Sequence, residues 1–188
     1  LRSCGKPYPW VELRIVDDDG REVPVGTVGE VWTRSAQNMR GYWNNPDATA
    51  ATVTDEGWLK TGDAGYVDHD GFVYLQDRKK DMIVSGGENV YPTEVENVLM
   101  THPAVDDVAI IGIPDERWGE AVKAVVVPAA GAAPTEAELI AYARERLAGF
   151  KLPKSVDFAK VLPRNPSGKL LKRALREPYW AGVDRRIG

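Results

Sequence analysis

Cysteine is almost absent from this sequence, and that scarcity narrows the classes of protein to which the chain can belong. Cys4 is the only cysteine among 188 residues. One thiol cannot build an internal disulfide framework or a cysteine zinc site, so the composition suits a reducing compartment. We therefore expect a cytoplasmic protein, with peripheral association with a membrane left open.

Long apolar runs are missing as well. No stretch approaches the run of about 18 apolar residues that suggests a membrane-spanning helix, and the first ten residues lack the apolar core of a signal peptide. The sequence thus predicts no transmembrane segment. Because it begins at Leu1 and runs directly into a strand-like pattern, we expect it to be a piece of a longer chain.

The charge balance argues against nucleic-acid binding. The net charge is −4 and the pI is near 5.3, whereas proteins that bind nucleic acids usually carry a basic surface that neutralises phosphates. Arg185-Arg186 is too short a basic cluster to predict a lipid surface. With 43% hydrophobic and 28% charged residues, the chain can bury a core beneath a polar surface.

Short strands and turns dominate the first third of the chain. Residues 11–16 lead into the turn sequence Asp17-Asp18-Asp19-Gly20, which predicts a hairpin with the segment 21–25. A second hairpin is predicted over residues 65–75, a strand over 29–35, and a short helix beginning at Pro46. Such elements suit a small barrel or a distorted antiparallel sheet.

Strands and helices alternate from Asp81 onward. Strands are predicted at 105–114, 120–128 and 155–162, and helices at 93–100 and 170–177. A further helix should begin at Thr135, since Thr135 and Glu138 have the spacing of a capping box. The sequence predicts an α+β fold, with helices packed on a small sheet.

Three glycine-marked segments are candidates for chemistry. In Thr61-Gly62-Asp63 the carboxylate could accept two ribose hydroxyls or merely stabilise its own turn. Gly86-Gly87 could admit a ligand close to the backbone or form a tight hairpin. Lys169 follows Gly168 on a loop with two prolines, but the phosphate-loop pattern fails because its earlier glycine and its Ser/Thr are missing. That lysine could serve a bound anion or only the surface.

A highly charged hexapeptide, Gln76 to Asp81, separates the two regions of the sequence. Five of its six residues carry charge. Either it is a solvated linker or it is a hinge beside an anionic ligand.

The order and spacing of these segments resemble the adenylate-forming superfamily, which includes acyl- and aryl-CoA synthetases. The segments that carry the resemblance are TGD at 61–63, DRKKDMIVSGGENVYP at 77–92 and PRNPSGKLLK at 163–172. The sequences of these segments most resemble those of bacterial fatty acyl-CoA ligases. The resemblance implies a fragment of the large AMP-binding domain over 1–77, with small barrel-like strands, a hinge over 78–81 and a mobile α+β domain over 82–188.

The resemblance also implies nucleotide-binding roles. Asp63 and Arg78 should bind the ribose hydroxyls of AMP, Leu75 should lie near the nucleotide, and Asn89 should reach its phosphate. Lys80 corresponds to the hinge residue about which the second domain rotates.

Catalysis and coenzyme A binding are assigned in the same way. Lys169 matches the lysine that stabilises negative charge as a carboxylate attacks the α-phosphate of ATP, and its acetylation should silence that step. Coenzyme A should contact a further set of residues, namely Gly86, Gly87, Trp118, Phe150 and Lys154.

The implied activity is that of an AMP-forming fatty-acid–CoA ligase. The acid and ATP would give an acyl-adenylate and pyrophosphate, and coenzyme A would then release AMP. Mg²⁺ is expected with ATP, through ligands outside this chain. The phosphate loop and the acyl pocket are also expected to lie outside this chain, in the large N-terminal domain. We expect the piece alone to be inactive without its N-terminal domain.

Other functions stay open at this point. The chain could be a non-catalytic binding module that retains the fold, an aryl-CoA ligase, or an adenylating enzyme that serves a carrier protein. A carrier-directed enzyme predicts a carrier domain downstream of this region.

Overall fold

The computed structural model describes residues 3–182, so the Arg185-Arg186 pair lies outside the described residues. Contacts divide the chain into two compact units, residues 1–79 and residues 80–188. The division falls inside the charged hexapeptide. Each unit is described by itself below.

The first unit is built on a four-stranded antiparallel sheet. Its strands follow one another in sequence order: β1 (Glu12–Val16), β2 (Gly29–Arg34), β3 (Leu59–Val67) and β4 (Val73–Arg78). Helix α1 (Pro46–Thr52) lies between β2 and β3 in sequence, with Pro46 in its first turn and Asn45 as its cap. No pairing among the described residues closes the sheet, so the barrel-like arrangement expected from the resemblance is an open sheet here.

One of the two predicted hairpins forms in full and the other only in part. β3 and β4 pair through the turn at Asp68, whose Oδ1 accepts the amides of Asp70 and Phe72 at 3.0 and 2.8 Å. The hairpin predicted over 11–25 forms only next to its turn: the Asp17 amide donates to the Arg21 carbonyl, the Val23 amide donates to the Ile15 carbonyl, and Val16 and Glu22 form an isolated bridge. Pro24 lacks an amide donor and begins a new turn, so the returning segment ends there, and β2 is the longer partner of β1.

The second unit is a mixed sheet with helices on it. Its order is β6-β5-β8-β7, with β9 parallel to β8. The strands are β5 (Ile83–Ser85), β6 (Glu88–Val90), β7 (Val105–Asp115), β8 (Gly119–Pro128) and β9 (Ser155–Phe158). The helices are α2 (Pro92–Leu99), α3 (Glu136–Arg144) and α4 (Lys172–Arg176). Short 3₁₀ turns occupy Lys79–Asp81, Gly149–Lys151 and Glu177–Tyr179.

Both faces of the long β7–β8 hairpin are buried. One face contributes Val108 and Ile110 to a core with α2 and α3, and the other contributes Ala109 and Ile111 to a smaller core. Because successive side chains alternate across a strand, this double burial accounts for the nearly continuous apolar sequence. The smaller core also receives Leu170 and Leu175, which fixes the segment around Lys169 against the sheet.

Most predicted elements of this unit are present, with shifted ends. The capping box forms as predicted, since Thr135 and Glu138 exchange side-chain and backbone hydrogen bonds. β9 ends at Phe158, four residues earlier than predicted. The fold is therefore a mixed α/β arrangement of one antiparallel sheet and one sheet that is antiparallel except for β9. None of the described helices is long and apolar enough to cross a membrane.

Candidate functional site

The carboxylate of Asp63 is held at the end of the β3–β4 hairpin. Asp63 lies opposite Arg78 in the strand register, and its Oδ1 is 2.9 Å from the Arg78 Nε. Thr61 stabilises the preceding turn, because its hydroxyl donates to the Val31 carbonyl and accepts the Asp63 amide. The Asp63 carboxylate therefore pairs with Arg78, and the turn is stabilised by the hydrogen bonds of the Thr61 hydroxyl. Both charged side chains keep partial exposure, 29% and 44%.

A groove in the first unit runs past this carboxylate. Its volume is about 320 Å³, and Asp63, Thr61 and Leu75 contribute to its lining together with Cys4 and Tyr8. Leu75 is 47% exposed. The structure thus brings together two of the predicted nucleotide-contacting residues, Asp63 and Leu75, on one concave surface. Apolar lining with a few polar groups is typical of small-molecule sites.

The Gly86-Gly87 pair forms a two-residue hairpin turn between β5 and β6. Both glycines have positive φ, 62° and 87°, which is the geometry of a type I′ turn. The hairpin interpretation of this segment is therefore confirmed. Asn89 lies two residues beyond the turn on β6, with an exposed side chain.

Trp118 lies directly against this turn. The Gly86 amide donates to the Trp118 carbonyl at 2.8 Å, and a Cβ on Gly86 would come within 2.6 Å of the indole ring. Glycine is thus required at position 86 by both its φ and the adjacent ring. The Arg117 guanidinium covers the indole at 4.6 Å from its centre, and 38% of Trp118 remains exposed.

Phe150 and Lys154 are on the chain that enters β9. Phe150 belongs to the 3₁₀ turn Gly149–Lys151, which contacts β6, and it is 38% exposed. Lys154 is exposed, and its amide donates to the Val122 carbonyl at 2.7 Å. The structure therefore brings Gly86 and Trp118 into contact, with Gly87 next to them in the turn, while the Lys154 backbone is bonded separately to β8.

Lys169 stands at the end of a hydrogen-bonded loop. The Asn165 Oδ1 accepts the amide and hydroxyl of Ser167 and the amide of Lys169, at 2.8 to 3.1 Å. Gly168 has a φ of +83°, and its carbonyl accepts from Arg164, which is itself paired with Asp107 at 2.7 Å. The backbone of Lys169 is thereby fixed, while its side chain extends into solvent and forms no ion pair within residues 3–182.

Ion pairs around the hexapeptide were not predicted from the sequence. In the first unit the Lys79 ammonium contacts Asp18 at 2.9 Å and Glu30 at 3.2 Å. Burial lowers the pKa of Lys79, but the hydrogen bonds that its ammonium donates to these carboxylates outweigh the burial and raise that pKa above its ordinary value. In the second unit Arg176 contacts Asp81 at 3.4 Å and the Lys80 carbonyl at 3.2 Å.

A recurring sequence pattern could have predicted the loop that holds Lys169. An Asp or Asn followed three positions later by Gly occurs at Asp17, Asn38, Asp68 and Asn165. All except Asn38 accept the amides two and four residues ahead. Metal binding has no comparable signature, since no group of three His, Cys, Asp or Glu within residues 3–182 is arranged to hold an ion.

Comparison with known proteins identifies the family. The family model for the AMP-binding enzyme C-terminal domain matches residues 94–169, and that for AMP-binding enzymes matches residues 1–43. The chain therefore belongs to the adenylate-forming superfamily of AMP-binding enzymes. It corresponds to the C-terminal portion of such an enzyme.

Individual relatives support this assignment. The chain is 49% identical over its whole length to a fatty acid–[acyl-carrier-protein] ligase from Streptomyces coeruleorubidus. It is also 49% identical, over 95% of its length, to a feruloyl-CoA synthase from Amycolatopsis sp. It spans only 36% of each of these relatives.

A solved structure agrees with the fold. The crystal structure of ATP-bound MatB from Rhodopseudomonas palustris superposes with a TM-score of 0.88 at 38% identity, over 97% of this chain and 37% of that one. The fold class expected from the sequence is thereby confirmed.

Proposed function

We propose that this chain is the C-terminal third of an ATP-dependent fatty acid–CoA ligase. The full-length enzyme joins a fatty acid to ATP, which gives acyl-adenylate and pyrophosphate, and then transfers the acyl group to coenzyme A with release of AMP. Residues 1–77 complete the AMP-binding domain, residues 78–81 form the hinge, and residues 82–188 form the mobile domain.

The observation that carries this proposal is the geometry of Lys169. A charged ammonium stands on a loop whose backbone is fixed by Asn165, Arg164 and the packing of Leu170. A cation held in advance can stabilise the charge that develops as the acid attacks the α-phosphate, with little reorganisation at that moment. This lysine therefore serves the adenylation step, and its acetylation removes the charge that the step requires.

The groove beside Asp63 suits the nucleoside part of ATP. The carboxylate accepts hydrogen bonds from the two ribose hydroxyls, and Arg78 orients it through their ion pair. Leu75 supplies an apolar wall, and Asn89 contacts the phosphate in the adenylation state. Mg²⁺ accompanies ATP through ligands in the rest of the protein.

Coenzyme A passes the Gly86-Gly87 turn in the second step. At Gly87 nothing lies within 4 Å of the Cβ position, which lets the pantetheine arm approach the backbone, and the exposed part of Trp118 beside Gly86 offers a stacking surface. Phe150 adds a second aromatic face, and Lys154 a cation for phosphate. The rotation that exchanges the two active states pivots at Lys80.

Separate assays of the two half-reactions test the role of Lys169. In the full-length protein, Lys169→Ala should lower adenylate formation on the order of 100-fold, while thioester formation from supplied acyl-adenylate stays within about 2-fold of wild type, since rotation has then removed the lysine. Arg21→Ala is the matched control, because Arg21 is a basic residue at the corresponding position of the Asp17 loop. Equal loss of both half-reactions in the Lys169 variant would contradict the assignment.

The acid and the acceptor require their own test, because the relatives differ in both. One relative is named for a fatty acid and an acyl-carrier protein, and the other for feruloyl-CoA. We expect the full-length protein to prefer fatty acids over aryl acids, and coenzyme A over a carrier protein, when each acid is assayed with each acceptor. Preference for carrier protein would favour the carrier-directed alternative.

A further inference from the structure

Residues of the charged hexapeptide form two sets of polar contacts, one within each unit. On the first side, Arg78 is paired with Asp63 and Lys79 with Glu30 and Asp18. The Glu30 side chain is only 10% exposed, and its other oxygen accepts the Gly62 amide. Lys79 is therefore fastened to the same β2–β3 corner that carries Asp63.

On the second side, Arg176 holds the first residues of the second unit. Its guanidinium donates to the Lys80 carbonyl and pairs with Asp81, and both charged side chains are 14% exposed. Charged hydrogen bonds at such burial are stronger than those on an open surface. Lys80 and Asp81 are consequently fastened to α4.

Helix α4 begins three residues after Lys169, so the same helix continues directly from the Lys169 loop. It is also fastened to α2 by an ion pair between Lys172 and Glu96 at 2.8 Å. The Lys169 loop, α4 and the start of the second unit thus form one connected set of contacts.

We infer that Arg176 is a positioning residue that couples the hinge to Lys169. With Lys79 fastened on one side and Lys80 and Asp81 on the other, rotation is confined to the backbone bonds between Lys79 and Lys80. A pivot confined to so few bonds delivers the Lys169 ammonium to a reproducible place after each turnover. This inference rests on the proposed two-step reaction, and no substrate or cofactor contact is assigned to Arg176.

The matched pair Arg176→Met and Lys172→Met tests the inference in the full-length protein. Both variants remove a cation of α4 with similar exposure, 14% and 12%, and each breaks one ion pair. Only Arg176→Met releases the hinge. Arg176→Met should slow adenylate formation about 10-fold, because a small misplacement of a catalytic group lowers the rate strongly. The same variant should leave thioester formation from supplied acyl-adenylate within about 2-fold of wild type. Lys172→Met should affect neither half-reaction selectively.

Hydrogen exchange provides a readout that requires no activity. Amides 79–82 should exchange roughly 5-fold faster in Arg176→Met than in wild type or Lys172→Met. Equal exchange in the two variants would contradict the claim that Arg176 holds Lys80 and Asp81. Faster exchange in Arg176→Met together with an equal loss of both half-reactions would contradict the positioning role. A wild-type protein that forms no adenylate with any acid would overturn the proposed function. The exchange rates would still show whether Arg176 holds Lys80 and Asp81.

Discussion

Asp157 shows how single residues fasten the end of the described chain to the sheet. Its Oδ1 accepts from the buried Lys123 ammonium at 2.7 Å, and its Oδ2 accepts from the Tyr179 hydroxyl. Burial alone would raise the pKa of Asp157, but these two hydrogen bonds outweigh it and hold that pKa below its ordinary value. Burial, together with the hydrogen bond to Asp157, raises the pKa of Tyr179 to about 12.

The raised pKa of Tyr179 predicts a loss of stability at high pH. Since the folded pKa lies above the ordinary value of 10.0, the neutral hydroxyl stabilises the fold fully below pH 10, and this contribution is lost as the pH rises through about 12. Tyr179→Phe should lower the free energy of unfolding by about 1 kcal/mol near neutral pH, and the difference from wild type should shrink between pH 10 and 12.

Urea unfolding of both proteins across this pH range measures the difference. Tyr8→Phe is the control, because the Tyr8 ring is exposed and stacks on Trp10, and its curve should follow wild type throughout. A Tyr179→Phe difference that stays constant above pH 10 would contradict the assigned hydrogen bond.

Among the structural elements, the loop that carries Lys169 is the one on which the proposed chemistry depends most. Asn165 organises it by accepting two backbone amides and one hydroxyl. Asp68 organises the β3–β4 turn in the same way through the amides of Asp70 and Phe72. One local hydrogen-bonding pattern therefore serves both as a plain connection and as the support of a candidate catalytic residue.

Removing the Asn165 side chain should therefore separate support from chemistry. Asn165→Ala should reduce adenylate formation on the order of 10-fold, because Lys169 keeps its charge but loses its fixed backbone. Thioester formation from supplied acyl-adenylate should be unchanged. Asp68→Ala breaks the equivalent turn in the first unit and should leave the ratio of the two half-reactions as in wild type. An adenylation rate unaffected by Asn165→Ala would show that the loop geometry is unimportant.

At the scale of the whole molecule, the share of its relatives that the chain spans leads to a prediction about the proposed activity. The chain spans about 36% of the relatives reported above, and the proposed residues contact only the ribose, one phosphate and coenzyme A. We predict that the isolated 188-residue chain releases no AMP from ATP in the presence of fatty acid and coenzyme A.

The full-length protein, assayed in parallel, is the control for that prediction. A second assay follows ATP–pyrophosphate exchange, which reports adenylation without the acceptor. Fatty-acid-dependent turnover by the isolated chain would mean that the acyl pocket and the phosphate site are not located upstream.

Local features of the fold could be predicted from the sequence because they depend on near neighbours. The capping box at Thr135, the helix that begins at Pro46 and the turn at Asp68 are each specified within a few residues. The return strand after Asp17 is predicted on equally local grounds and is reduced to a single bridge, while β2 supplies the longer partner of β1. Local signals specified turns better than strand partners.

The sequence by itself determined the family, most of the helices and turns, and the identity of the candidate residues, since the motifs and local patterns that indicate them lie in contiguous segments. Only the tertiary structure decided which charges pair. Arg176 and Lys80 are 96 positions apart, and Lys79 and Glu30 are 49 apart. With 24 basic and 28 acidic residues, charge alone cannot select these partners, because Coulomb attraction depends on distance in the folded chain. The packing of α4 and of the β2–β3 corner supplies that distance.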